Sequence, residues 1–349
     1  MREFYPHYLE ASHPYGCRTH GDAFFFSGSR YDDCFLRLGD EPFLALLSFL
    51  EASTLTRLSA VNRLCYVFCN HSELWRDLAL HHFQTLGRPV EFHYGWRDTL
   101  ITLLRGQGQP RHSPLLVDGV FSTTLTRSWA CIAYELDLSF PKFYALDNVL
   151  KVDAREMSYS SFLEKYEITN TPVVISNAIS GWSALSKWTD EYLSDICGDK
   201  LFRATSAMAS HSASFTMRQY LLYSKQCKDE VPLYLFERDF ASNESLRNDF
   251  SVPSFFDPTL HPNTDLLRLF GEARPDHRWL IIGPKKSGSI FHIDPNMTHA
   301  WNAVIRGRKK WIFYPRHVSP PVSQTLDDDS CFGDEESHCF AFRILQILH

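Results

Sequence analysis

Apolar positions recur every three or four residues early in the chain and give way later to short continuous or alternating apolar runs. Helices are therefore predicted first and strands afterwards. Leu38, Phe43, Leu46, Leu47 and Leu50 follow the helical spacing, and so do Leu55, Leu58, Val61, Leu64 and Phe68. This pattern predicts two or three short helices with a shared apolar face, with Ser53 or Thr54 as the N-cap between them. A further helix is expected to begin at Glu73-Leu74-Trp75-Arg76-Asp77-Leu78. Residues 1–33 carry no firm period and are read as a leader. Residues 84–150 are read as a linker and lead-in, broken by Gly106-Gln107-Gly108-Gln109-Pro110.

Beyond residue 150 the elements alternate. Met157 to Tyr166 reads as a helix, Pro172-Val173-Val174-Ile175 as a buried strand, and Trp188 to Cys197 as a second helix. Strands are expected at Leu201 to Thr205, Leu233 to Phe236, Trp279 to Ile282, Gly288 to Ile293, Ala300 to Ile305 and Lys309 to Tyr314. The last two flank Arg306-Gly307-Arg308, so a hairpin is predicted there. The rising strand density suits a jelly roll of the cupin kind.

At 349 residues the chain exceeds a usual domain, and two units are expected. A hydrophobic content of 44% with 27 Phe, 15 Tyr and 8 Trp supplies ample core material. The formal charge of -6 gives no overall pull toward nucleic acid or anionic membrane. No stretch approaches the roughly 20 apolar residues of a membrane span, and the first residues do not form a secretory signal. The nine cysteines lack a CxxC pair or a regular framework and read as reduced thiols. Cys65 and Cys69, four apart on a predicted helix, are read as buried small side chains. A protein of the nucleus or cytoplasm, not secreted, is expected.

The chemistry concentrates in Ser287-Gly288-Ser289-Ile290-Phe291-His292-Ile293-Asp294-Pro295. In an extended segment, side chains at i and i+2 share a face, so His292 and Asp294 aim one imidazole and one carboxylate at the same point. That is two thirds of the facial triad by which non-haem Fe(II) oxygenases hold their metal. Downstream, Asn302 and Val304 share one face, as do Lys309, Trp311 and Phe313. An inward Lys309 would need a carboxylate partner, because a buried ammonium is costly unless paired. A dicarboxylic keto acid such as 2-oxoglutarate would meet that need with one end and chelate iron with the other.

Two resemblances follow. Leu38-Gly39-Asp40-Glu41-Pro42-Phe43, Phe49-Leu50, Leu55 to Arg63 and Leu74-Trp75 resemble an F-box, although the proline usual at its start is displaced to position 42. This resemblance implies docking to a Skp-type adaptor of a cullin ubiquitin ligase. A small helical hairpin capping the next domain is the other reading. From about Tyr159 to Arg316 the chain resembles a JmjC oxygenase of the phosphatidylserine-receptor-like branch, the bifunctional arginine demethylase and lysyl hydroxylase group. That resemblance rests on Pro172 to Ile175, Gly181-Trp182-Ser183-Ala184, Lys187-Trp188-Thr189, Pro232 to Phe236, Val252 to Phe256, Arg278-Trp279, Gly283-Pro284 and the His292 to Trp311 block.

The implied fold class is α+β. An all-α F-box module at 34–83 precedes a JmjC double-stranded β-helix with helical decoration at 151–316, incomplete at its C-terminus, and a divergent acidic tail at 317–349. The resemblance implies His292 and Asp294 as Fe(II) ligands and Lys309 as the anchor of the 2-oxoglutarate carboxylate, with Ser289, Asn302 and Tyr234 as the cosubstrate's neighbours. It also implies hydroxylation or demethylation of a lysine or arginine side chain in a protein. The family's second metal-binding histidine, in a late Trp-His strand, has no counterpart here, and a truncated isoform or incomplete gene model is expected. His317, His338 and His349 read as solvated. The alternatives are an inactive JmjC scaffold, an F-box adaptor or interaction protein, and a cupin-like small-molecule binder without metal.

Overall fold

A computed structural model of the chain describes residues 13–21, 38–133, 148–206, 212–262, 265–289, 292–294, 298–315, 318 and 345–347. In chain order its elements begin with helices α1 (Asp40–Ser48), α2 (Ala52–Leu58), α3 (Arg63–Cys69), α4 (Ser72–Thr85), α5 (Trp96–Arg105) and α6 (Thr123–Ala133). Next come β1 (Leu150–Asp153), α7 (Tyr159–Phe162), β2 (Val173–Ser176), α8 (Ala184–Lys187), α9 (Asp190–Cys197), β3 (Leu201–Thr205), β4 (Ala213–Thr216) and α10 (Met217–Gln226). The series ends with β5 (Tyr234–Glu237), α11 (Glu244–Asn248), β6 (Leu280–Ile282), β7 (Arg308–Lys310) and β8 (Leu345–Ile347). The mixture of helices and small sheets is of the α+β class. Two compact units divide the chain: Met1–Leu146 with Ser210–Glu230, and Asp147–Ala209 with Val231–His349. No described helix is long and apolar enough to cross a membrane.

The first unit is helical because its apolar spacing is. Phe43 and Leu47 on α1, Leu55 on α2, and Leu64, Cys65, Val67, Phe68 and Cys69 on α3 are buried. The second predicted apolar run is divided between α2 and α3. Asn62 stops and restarts the helix there, its side chain accepting from the Cys65 amide at 2.8 Å. Ser53 and Thr54 are not caps. They lie within the first turn of α2, whose flanking residue is Glu51. Asp40 instead caps a distant helix, accepting from the Ser122 hydroxyl at 2.7 Å and the Thr124 amide at 3.1 Å at the start of α6.

The stretch expected as a linker is structured through α5 and α6. Trp96 and Leu100 of α5 are buried, Trp96 with its ring centroid 5.2 Å from that of Phe92, and the Trp75 indole on α4 donates to the Cys69 carbonyl at 2.8 Å. The local pattern missed this because the remaining partners are remote in sequence. Val90 donates to the Ser214 carbonyl at 2.7 Å, and the Phe92 amide donates to Gln219 at 2.9 Å.

In the second unit β1 pairs in parallel with β2, Leu150 opposite Val173 through Asp153 opposite Ser176. β2 was expected to be buried, but its residues alternate half-buried and exposed, as a strand in a two-stranded sheet with one covered face must. The covered face packs on Met157, Phe162, Tyr166 and Phe255. Strand β5 pairs antiparallel with β3 on one side and β6 on the other, with Leu235 opposite both Ala204 and Ile282.

One carboxylate organises the helical decoration. Asp249, just after α11, is 2% exposed. It accepts from the Ser183 hydroxyl (2.6 Å), Lys187 Nζ (2.7 Å), the Tyr192 hydroxyl (2.9 Å) and the Trp188 indole (3.0 Å). Its own carbonyl accepts from the Ala184 amide at 3.0 Å. The short helix α8 and the start of α9 are thereby held to the end of α11.

The predicted hairpin is not formed. Residues 300–305 make no strand, and β7 pairs instead with β8, Lys309 opposite Gln346. The reason lies in what the approach to β7 packs on. Trp301 stacks on Phe256 at 5.5 Å and 4° and sits edge-on to Trp182, while Arg306 donates to the Trp188 carbonyl at 3.3 Å. Of the strand predicted at Gly288 to Ile293, residues 290 and 291 lie outside the described residues and the rest is not strand. A complete jelly roll is not present among the described residues.

Burial alone would raise the Asp249 carboxyl, but the donors from Lys187, Ser183, Tyr192 and Trp188 outweigh it and hold it at about 2. Its folded value is therefore below its unfolded one. The stabilisation is complete above about pH 4 and is lost as pH falls through about 2. Lys187 is half-exposed, so solvent screening reduces its share of the stabilisation. Asp249→Ala is expected to lower stability by on the order of 3 kcal/mol at neutral pH. Denaturant titration of wild type and variant from pH 7 down to pH 2 checks this, the gap between them closing in the acid arm.

Candidate metal and cosubstrate site

Tyr234 opens β5 and is buried on the central strand of the β3, β5, β6 ladder, directly opposite Thr205. Its hydroxyl lies 3.2 Å from the Ser289 hydroxyl. The approach is made possible by the turn that follows β6. Ser287 donates to the Pro284 carbonyl through both its hydroxyl (2.7 Å) and its amide (3.1 Å), with Lys286 left-handed at φ 69°. A left-handed lysine is strained backbone of the kind found at ligand sites. Gly283 is the position on which this arrangement depends. A Cβ there would collide with Ser287 Oγ and stand 3.0 Å from Tyr234 Cβ.

His292 and Asp294 come together, Nε2 to Oδ1 at 3.3 Å. Both side chains are about a third exposed, 34% and 33%, so the pair faces accessible space rather than the core. An imidazole and a carboxylate in contact fit the donor set that a first-row divalent metal takes. Among the described residues no third His, Cys, Asp or Glu joins them to make a group of three. His317, His338 and His349 lie outside the described residues.

Lys309 on β7 is half-buried, with its ammonium 4.6 Å from the centroid of the Trp311 ring. Trp311 and Phe313 stack at 5.6 Å and 2°, so the three side chains share a face. Burial pulls the Lys309 amine down to about 8, against the opposing charge of Asp294. Lys309 and Asp294 are thus within electrostatic reach of each other. Asn302 differs from the rest: it is exposed on the segment before β7 and makes no hydrogen bond among the described residues.

Asp249 and Ser287 were missed by the sequence reading. Each had a signal in the chain. For Asp249 the chain offers three hydrogen-bond donors, Ser183, Lys187 and Trp188, within six residues, although Asp190 and Glu191 stand beside them as nearer acceptors. Ser287 sits in a Gly-Pro to Gly-Ser turn whose tightness only the packing reveals. Gly283→Ala is expected to cost about 1–3 kcal/mol by overpacking against Ser287 and Tyr234. Ser287→Ala, which removes the hydroxyl that the new methyl group strikes, should recover part of that loss in the double variant. Thermal unfolding of the four proteins checks it.

Residues 159–338 match the family model described as "Cupin-like domain". Over 291 residues the chain is 38% identical to Arginine-specific demethylase JMJ22 of Arabidopsis thaliana, which covers 81% of this chain and 53% of that protein. It is 33% identical over 190 residues to the Bifunctional arginine demethylase and lysyl-hydroxylase psr-1 of Caenorhabditis elegans, covering 54% of this chain and 46% of that protein. It is 28% identical over 202 residues to the 2-oxoglutarate and iron-dependent oxygenase JMJD4 of Mus musculus, covering 51% and 44%. The chain thus spans about half the length of these relatives. The first similarity is longer than the family match, so it takes in part of the helical region as well. The chain belongs to the family of proteins built on a cupin-like domain.

Proposed function

We propose that this chain is an Fe(II)- and 2-oxoglutarate-dependent oxygenase of the JmjC type acting on arginine or lysine side chains of proteins. The observation that carries the reading is the contact of His292 with Asp294 at 3.3 Å, with the positive charge of Lys309 within electrostatic reach of that carboxylate. The names of the relatives support the cosubstrate, the metal and the class of side chain. Iron held by His292 and Asp294 would supply dioxygen activation coupled to decarboxylation of the keto acid. Lys309 would pair with the far carboxylate of 2-oxoglutarate, and its unfavourable desolvation would be offset by that pairing. The hydroxyls of Tyr234 and Ser289 would donate to the cosubstrate and fix its orientation. Asn302, exposed on the segment before β7, would be a further neighbour of the cosubstrate.

Helices α1–α4 are proposed to be the F-box-like module that meets a Skp-type adaptor. Supporting this, Leu46, Phe49 and Val61 are 52%, 85% and 66% exposed although the same helices bury Phe43, Leu47 and Leu55. Large apolar side chains left exposed on a module whose other apolar residues are packed are available to a partner. A scaffold without turnover is the second reading, favoured by the absence of a third metal-ligating side chain next to the pair among the described residues.

The test of the oxygenase reading is succinate formation from 2-oxoglutarate with Fe(II) and dioxygen present. Lys309→Ala is expected to raise the KM for 2-oxoglutarate on the order of a hundredfold, the effect of losing a desolvated charge pair. Absence of succinate from a folded wild-type chain supports the scaffold. For the helical unit, Phe49→Ala should weaken binding to a purified Skp-type adaptor on the order of tenfold by calorimetry. Unchanged affinity would remove that surface from consideration.

A further inference from the structure

The helical unit holds a pocket of about 200 Å³, with His93, Tyr94, Asp98, Thr102, Gln107 and Arg111 in its wall. Its shape follows from the chain around α5. Just past that helix Gly106 (φ 89°) and Gly108 (φ 82°) are left-handed, a conformation glycine adopts without strain, and together they turn the chain back. The His112 amide then donates at 2.7 Å to the carboxylate of Asp98 in the first turn of α5. The returning segment is thereby fastened to the start of the helix it has just left. His93 is fixed in turn by the buried Thr99, whose hydroxyl accepts the His93 amide at 2.9 Å.

The wall carries polar groups with no internal use. Tyr94 is left-handed at φ 53° and 54% exposed, a strained backbone that keeps a large ring at the surface. Arg111 lies over that ring, 5.0 Å from its centroid, and makes no ion pair among the described residues. A guanidinium resting on an aromatic ring is positioned in advance and keeps N–H donors for a planar oxyanion. Nε2 of His93 is shielded from water without a hydrogen-bond partner among the described residues. A buried nitrogen in that state is unfavourable, and an oxygen entering the pocket would relieve it.

Size and charge narrow the ligand. Pockets for drug-sized molecules run to about 300–1,000 Å³, so this one takes a single side chain or a chain end. Asp98 shares the wall with Arg111. Its negative charge favours an anion of single charge over a phosphate, which carries about −1.5 to −2.

We propose that this pocket binds a carboxylate of a peptide, with Arg111 as the anchor, Tyr94 as the platform that holds the guanidinium, and His93 and Thr102 as further polar partners. An acidic side chain and the free end of a chain both present this group. The site draws on no residue of the metal pair and is independent of the oxygenase reading.

Ligand-observed NMR titration of the full chain with short peptides tests it. One peptide carries an internal glutamate between blocked ends, and two others carry glutamine or phosphoserine in its place. A fourth has no acidic side chain and a free C-terminal carboxylate. Saturable binding of the glutamate or the free-ended peptide, lost with glutamine, is expected, and the one that binds identifies the source of the carboxylate. Arg111→Ala should weaken that binding on the order of tenfold, and Arg111→Lys should weaken it less, because an ammonium keeps the charge without the fork. Arg111 is exposed, so these variants keep the fold. Arg105→Ala removes the same charge from the exposed end of α5, outside the pocket, and should leave the affinity unchanged. No saturable binding, equal binding of the glutamine peptide, tighter binding of the phosphoserine peptide, or equal losses in Arg111→Ala and Arg105→Ala overturns the proposal.

Discussion

The second unit depends on one carboxylate more than on any sheet. Asp249 gathers four side-chain donors from a ten-residue stretch that holds the four-residue helix α8 and the first turn of α9. An isolated helix of that length does not persist in water, so its geometry is borrowed from the buried charge. The consequence reaches the candidate site by contact. Trp188, held by Asp249 through its indole, offers its carbonyl to Arg306, and Trp182 meets Trp301 edge-on. Both contacts tether the segment that leads into β7 and Lys309.

Around the site itself, close packing and charge do different jobs. The side-chain-free position at Gly283 lets the Ser287 turn lie against Tyr234, and the turn delivers Ser289 to the tyrosine hydroxyl. His292 and Asp294 follow within a few residues, partly exposed and in contact. Lys309 arrives from the other side of the sequence, desolvated enough to lose much of its basicity and still under the influence of Asp294. In the function proposed above, these two hydroxyls, the imidazole, the carboxylate and the half-buried ammonium would serve a metal-chelating dicarboxylate.

How much of this was legible in the chain follows the range of each interaction. Residues that act on neighbours in sequence were readable: the helices from Leu38 to Phe83, strand β3 over Leu201–Thr205, and the shared face of Lys309, Trp311 and Phe313. Local periodicity could not show that Val90 and Phe92 bond to residues 214 and 219, and so α5 was hidden within an apparent linker. The hairpin expected around Gly307 failed for a related reason. Trp301 has the alternating neighbours of a strand, but a stacked Phe256 provides a better surface than a second strand does. Asp249 looked like an ordinary acidic residue, because a charge is recognisable as buried only once the donors that surround it are known.

The central claim is that His292 and Asp294 hold iron with 2-oxoglutarate beside it. Anaerobic titration of the purified chain with Fe(II), with and without 2-oxoglutarate, tests this most directly through the weak visible charge-transfer band of the chelated keto acid. The account predicts a saturable band that requires both components and disappears in His292→Ala while the fold, checked by circular dichroism, is retained. A folded wild-type chain with no band, or a band that survives His292→Ala unchanged, would contradict it.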